Sequence, residues 1–237
     1  MVEEVKCSML GYTHELDEAK KDVFAIVHAC DSNIETKLSS LNHILTTVSN
    51  TESKSKAINS MSSLMVNSIS KQDEEDIETA KVQIQGHLHE VRKLINSETN
   101  SLNNVMANIV TLQTELDVVR VYTTEKRSYF ENESPVSDED GTIELEPLKV
   151  LCSEIESWKM TVDSLHTQIT SLKARPCTFE YSGLMEDHSK VSKEHQLLLE
   201  EAQSFLKTKI EYYDRLRKIM ICVNLVIFGW KPNQRKP

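Results

Sequence analysis

Residues 77–119 read IETAKVQIQGHLHEVRKLINSETNSLNNVMANIVTLQTELDVV. Apolar side chains recur here in alternating steps of four and three residues, the spacing that holds one stripe of a helix against its neighbours. This stripe, seam 1, predicts a long coiled-coil helix over about 72–129. Only Lys81 and Glu98 interrupt it, either to fix the pairing register or to extend outward toward water. Its apolar members are Ile77, Ile84, Leu88, Val91, Ile95, Leu102, Val105, Ile109, Leu112, Leu116 and Val119.

A second stripe, seam 2, follows the same rhythm further along the chain. Pro147 is tolerated in the first turn of its helix, and Arg175-Pro176 ends it. Seam 2 consists of Leu148, Leu151, Ile155, Trp158, Val162, Leu165, Ile169 and Leu172.

The whole chain is predicted to be all-α, an extended coiled coil or long helical bundle of about four helical segments. Five glycines and five prolines are too few for the turns of a sheet-rich or α/β domain. The expected order is an N-terminal helical arm at 1–131 with a break near 50–56, an acidic linker at 132–143, a second coiled-coil segment at 144–175, a loop at 176–183, a C-terminal helix with an apolar end at 184–228, and a basic disordered tail at 229–237.

The charge and the cysteines limit the class of protein. A net charge of −10 argues against nucleic acid as a partner for the whole surface, although 207–237 forms a basic pole with eight bases and two acids. Five dispersed cysteines indicate reduced thiols, and Cys30 and Cys152 are expected in the core. The apolar run 219–230 is too short to span a bilayer. We therefore expect an intracellular protein of the cytoplasm, cytoskeleton or nucleus.

Catalytic and metal-binding motifs are missing from the sequence. It contains no phosphate-binding glycine loop, no nucleophile elbow and no zinc-protease motif. His188 and His195 share a helix face, but the acids nearby are typical of a solvated helix surface. The sequence thus predicts no enzyme, no cofactor, no metal site and no small-molecule substrate.

The residues of the two seams indicate the kind of partner. The core positions of a heptad are called a and d. Seam 1 has leucine-rich a positions and β-branched d positions, which favour coiled coils of three or four helices. Seam 2 has the reverse pattern and favours two helices. One chain with both preferences fits a hetero-oligomer with other coiled-coil proteins, or a chain that folds back on itself in places, better than a uniform homodimer. A helix of this length also needs partner helices along most of its stripe.

Two further features carry hypotheses about regulation and docking. Ser134 precedes Pro135 and Ser137 precedes three acids, so both serines fit kinase recognition patterns in an accessible linker. The apolar C-terminal end is interpreted as a docking segment buried in a hetero-complex, with a membrane-surface anchor as the alternative. Its candidate docking residues are Ile219, Val223, Val226, Phe228 and Trp230.

The two seams, followed by YYDRLRK at 212–218 and an apolar end, give the chain a layout that resembles the coiled-coil linker subunits of kinetochores and spindle microtubule-associated complexes. The resemblance implies a structural subunit of a microtubule- or chromosome-associated assembly. Two other functions compete with it: a membrane-trafficking tether or adaptor, and a chromosome- or nucleic-acid-associated coiled coil that uses the basic pole.

Overall fold

A computed structural model of the 237-residue chain describes residues 2–30, 32–65, 69–132, 145–172 and 178–227. These residues form five α-helices and no strand, which confirms the all-α prediction. The helices are α1 (Val2–His28), α2 (Ile34–Met65), α3 (Lys71–Asn132), α4 (Leu145–Ser171) and α5 (Thr178–Ile227).

Polar side chains define where α2 and α3 begin. The Asn33 side-chain oxygen accepts the amide hydrogen of Thr36 at 2.8 Å, and the Ser70 hydroxyl oxygen accepts that of Asp73 at 3.2 Å. Each contact satisfies an amide that has no partner within the helix, as N-caps do. The Ser70 hydroxyl also donates to the Asp73 carboxylate at 2.7 Å, which gives α3 a reciprocal cap.

The break expected near 50–56 is wrong, because α2 continues through these residues. Thr51 and Ser55 are buried in the stripe of α2, and the Thr51 hydroxyl lies 2.9 Å from the carboxylate of Glu15 and 3.1 Å from the Thr47 carbonyl oxygen. The Thr51 hydroxyl is accommodated because α1 and the preceding helical turn supply its hydrogen bonds. The helix breaks instead between His28 and Ile34, where Asn33 caps α2.

The bounds of the later segments also differ from the prediction. Residues 178–183, expected in a loop, belong to α5, which begins at Thr178, and α4 ends at Ser171. The acidic linker with Ser134 and Ser137 lies outside the described residues, as do the basic tail, Phe228 and Trp230.

The chain divides into two compact units, of which unit 1 comprises Met1–Thr111 and Thr170–Gly183. Helices α1 and α2 are antiparallel, as shown by the Glu15 to Thr51 bond and by the 3.1 Å bond from the Lys37 ammonium to the Val27 carbonyl oxygen. The start of α5 joins this unit through Glu180, whose carboxylate accepts the Ile34 amide at 2.6 Å.

Helix α3 runs parallel to α1 in unit 1. Lys6 contacts Asp76 at 2.7 Å and Lys20 contacts Glu90 at 3.2 Å, and both pairs are separated by 70 residues. Helix α2 reaches α3 through the ion pair of Glu52 with Arg92. The three helices thus form an up-down-up bundle. Its core contains Val5, Met9, Leu16, Val23, Leu41, Ile44, Val48, Ile77, Ile84, Leu88, Val91 and Ile95.

Unit 2 comprises Leu112–Ile169 and Leu184–Pro237 and repeats this arrangement with the end of α3, α4 and α5. The Tyr122 ring stacks on Trp158 with centroids 4.3 Å apart, and Arg127 contacts Glu201 at 3.3 Å. The core cluster consists of Tyr122, Leu148, Cys152, Ile155, Leu198, Leu199 and Ala202.

The two bundles agree with the alternative of a chain that folds back on itself. The seams of α3 and α4 are buried by helices of the same chain, so partner helices are not needed along most of their length. Each part of seam 1 lies in a bundle of three helices, α3 included, within the range of three or four that its residues favour. The two-strand preference of seam 2 is wrong, because α4 packs against both α3 and α5.

Candidate protein-interaction surface

Helix α5 carries a stripe that crosses from a buried region to an exposed one. From Leu184 to Val226 the alternation of four and three residues is unbroken over the whole helix. We call this stripe seam 3. Its members are Leu184, His188, Val191, His195, Leu198, Ala202, Phe205, Lys209, Tyr212, Leu216, Ile219, Val223 and Val226.

The first half of seam 3 lies in the core of its bundle. Leu184, Val191, Leu198 and Ala202 are each at most 2% exposed, so little of their surface reaches water. Phe205 is half-buried, and its ring contacts Phe130 of α3 at a centroid distance of 5.5 Å. This part of the stripe therefore contributes to unit 2 in the ordinary way, by removing apolar surface from water.

The last ten residues of α5 differ sharply from the first half. Ile219, Val223 and Val226 continue seam 3 but are 58%, 46% and 81% exposed. Met220 and Ile221 are exposed as well. We call these five residues the apolar tip.

Apolar side chains of the tip point in several directions around the helix, and Asn224 is an exposed polar residue among them. At about 100° per residue, Ile219, Met220 and Ile221 point to three different sides of the helix. An exposed helix of a folded domain normally keeps one face polar, and a helix that is apolar all round is normally buried. A contiguous exposed apolar patch of this kind is typical of an interaction site.

Cations lie immediately before the apolar tip. Arg215, Arg217 and Lys218 are exposed on the preceding turn. Lys209 is different, because it is 2% exposed and its ammonium lies 5.7 Å from the centre of the Phe205 ring. Burial of Lys209 removes one cation from the accessible part of the basic pole.

His188 and His195 bind α4 rather than an external ligand. The Nε2 atom of His188 donates to the Val162 carbonyl oxygen at 2.9 Å, and that of His195 donates to the Ile155 carbonyl oxygen at 3.0 Å. Burial lowers the pKa of the His195 imidazole, since a charged ring would lose its hydration. The spacing of the two histidines showed that they share a face, but not that they hold α4.

The predicted seam residues fall mostly in the cores. All apolar members of seam 1 are buried, and in seam 2 only Leu151 and Trp158 are half-buried. Lys81 is also half-buried and pairs with Glu78 at 3.2 Å, within its own helix.

The two cysteines expected in the core differ. Cys152 is buried, with its sulfur 3.6 Å from the Ala202 carbonyl oxygen. Cys30 is exposed, so its expected core position is wrong. The reason is that Cys30 lies in the turn between α1 and α2, where helical spacing no longer decides which way a side chain points.

Within the described ranges, no group of three or more His, Cys, Asp or Glu residues could hold a metal ion. No helix there is both long and apolar enough to cross a membrane. Compared with protein-family models, curated proteins and solved structures, the chain matches none of them.

Proposed function

We propose that this chain is a non-enzymatic structural protein, a helical subunit that holds other proteins together in a multiprotein assembly. The observation that carries the proposal is the apolar tip. The two bundles cover the seams of α3 and α4 internally, so the exposed end of seam 3 is the part of the helical surface best suited to a partner.

The cell biological setting is proposed from the layout of the chain. Its resemblance to coiled-coil linker subunits supports a place in a kinetochore, a spindle complex or another cytoskeletal assembly, in the cytoplasm or nucleus. Helical bundles suit such a role because they position binding ends by packing alone and need no cofactor.

Affinity purification of the full chain from its native cells, followed by native mass measurement, tests the function. We expect other helical proteins to co-purify in a fixed ratio. Recovery of the chain as a compact monomer without partners would contradict the proposal.

A membrane tether is the second candidate, and the same tip supports it. Exposed apolar residues preceded by Arg215, Arg217 and Lys218 have the composition of a segment that binds anionic lipid surfaces. Flotation of the purified chain with vesicles containing phosphatidylserine distinguishes this candidate, because a scaffold subunit remains at the bottom of the gradient.

A further inference from the structure

We infer that the apolar tip of α5 is one helix of a composite three-helix bundle, completed by an antiparallel helical hairpin of a partner protein with acidic residues along its edges. The inference rests on the proposed function and specifies its partner. Four observations on the described residues support it.

Helix α3 takes part in both units of the chain. The stripe of α3 keeps one register from Ile77 to Val119, but its helix belongs to unit 1 up to Thr111 and to unit 2 from Leu112. Two antiparallel helices, α1 and α2, complete the bundle around its first part. Another antiparallel pair, α4 and α5, completes the bundle around its second part. In each unit, a different hairpin of the same chain therefore completes the bundle around its own part of α3.

Helix α5 repeats the first half of this pattern. Its seam is buried against α3 and α4 from Leu184 to Ala202, as shown by the bonds of His188 and His195 to α4. The same register then continues to Val226, with its last members exposed. Because the exposed stripe continues an existing bundle interface, we expect a second interface of the same kind, formed by helices with the same heptad spacing.

The distribution of apolar residues around the tip sets the number of helices. Met220 occupies the heptad position of the buried Leu199, so a single partner helix along seam 3 would leave Met220 in water. Ile221 occupies the position of the exposed Glu200 and stays on the outer side of the composite bundle. Two helices enclose a third from both flanks, as α1 and α2 enclose the start of α3. A hairpin supplies two such helices in one partner.

The charge beside the tip disfavours a parallel second copy of this chain. Arg215, Arg217 and Lys218 would then face an identical set of cations, and the exposed Asp214 on the same turn offsets only one of the three. A partner with glutamate or aspartate at the edges of its helices would form ion pairs with them, and such edge pairs determine partner choice in coiled coils.

Photo-crosslinking of the full chain in its native cells tests the geometry. A photoreactive residue is placed in turn at Ile219, Met220 and Val223, and the crosslinked peptides are sequenced. We expect crosslinks to two amphipathic heptad segments of one partner chain, running in opposite directions and carrying acidic edges. Crosslinks to a single segment, to a second copy of this chain or to lipid would overturn the inference, and so would the absence of crosslinks.

Substitution with matched controls tests the energetics. Ile219→Asp and Val223→Asp should each reduce recovery of the crosslinked partner about tenfold or more, because a carboxylate would be buried in the composite core. Leu197→Asp is the control, since Leu197 is 52% exposed on α5 but lies outside seam 3. It should change recovery by less than about twofold. Equal losses for all three variants would overturn the inference.

The charge requirement has its own pair of variants. Lys218→Glu should weaken binding of the same partner, whereas Lys193→Glu, at an exposed position earlier in α5, should not. An unchanged affinity for Lys218→Glu would overturn the acidic-edge requirement. If the full chain has no partner, the proposed function fails. If partners remain bound to Ile219→Asp, only the inference fails.

Discussion

His195 donates a hydrogen bond from its Nε2 atom to the carbonyl oxygen of Ile155, 3.0 Å away on the neighbouring helix. His188 makes the same contact with Val162, seven residues along on both helices. These two bonds connect α5 to the backbone of α4 at one-heptad intervals. Burial of His195 also makes the stability of this bundle depend on pH.

We expect the free energy of unfolding of unit 2 to decrease as pH falls from 8 to 5. Burial lowers the pKa of His195 in the folded state, so below about pH 6.5, the usual value for histidine, the unfolded chain binds a proton that the folded chain does not. This one proton lowers stability by at most about 1.4 kcal/mol per pH unit. Asp163, which favours the charged ring, and Lys159, which disfavours it, lie nearby and affect the size of the effect.

Denaturant unfolding monitored by Trp158 fluorescence, in a Trp230→Phe background, measures this dependence. His195→Gln retains a side-chain amide that can donate a hydrogen bond but does not titrate. The free energy of unfolding of this variant should therefore change less steeply with pH between pH 7 and 5. An identical slope in both proteins would contradict the role given to His195.

The stacked rings of Tyr122 and Trp158 should contribute strongly to unit 2. Trp158 is half-buried and packs on the core cluster, with an interplanar angle of 16° to Tyr122. We expect Trp158→Ala to destabilise the unit by about 3 kcal/mol, the lower end of the range for removing a large aromatic side chain, because Trp158 is only half-buried. Trp158→Phe should lose less than half of that. Chemical denaturation gives both values, and equal losses would argue against ring stacking.

The cap at Ser70 should support the start of α3. Ser70→Ala removes the acceptor of the Asp73 amide and should cost about 1 kcal/mol. Ser97 is exposed within α3, and Ser97→Ala there should be neutral or slightly stabilising. Thermal unfolding followed by circular dichroism compares the two. A neutral Ser70→Ala would mean that the observed cap contributes nothing to stability.

Thiol reactivity should separate the cysteines by burial. Burial raises the pKa of the Cys152 thiol, which disfavours the reactive thiolate, whereas Cys7, Cys30 and Cys222 are exposed. With a thiol reagent at pH 8, these three should react in the native protein and Cys152 only on unfolding. Mass spectrometry after timed alkylation identifies each site. Rapid native labelling of Cys152 would show that the core of unit 2 opens readily.

The apolar tip should add nothing to the stability of the free chain. Because Ile219 and Val223 are exposed, their replacement by aspartate should leave the free energy of unfolding unchanged within about 0.5 kcal/mol. Leu198→Asp, at a fully buried position of the same seam, should prevent unit 2 from folding. A loss for the tip variants comparable with that of Leu198→Asp would show that the tip packs within the chain.

The sequence by itself determined the helices and their buried stripes. Heptad spacing is a local property, and the side chains of seam 1 must share one face wherever their helix lies. The buried positions of Ile84, Val91 and Ile155 follow from spacing alone. The same spacing gave a wrong prediction at Cys30. Val27 and Ile34 are one heptad apart in sequence, but α1 ends at His28 and α2 begins at Ile34, so the heptad pattern does not apply between them.

Only the tertiary structure decided which helices cover those stripes. A heptad pattern records that a face is buried, but the hydrophobic effect has no direction and does not distinguish a helix of the same chain from one of a partner. The reversal at Asn33 and the carbonyl contacts of His188 and His195 bring distant parts of the chain together. The exposure of Val226 depends in the same way on the fold, because its register is that of the buried Leu198.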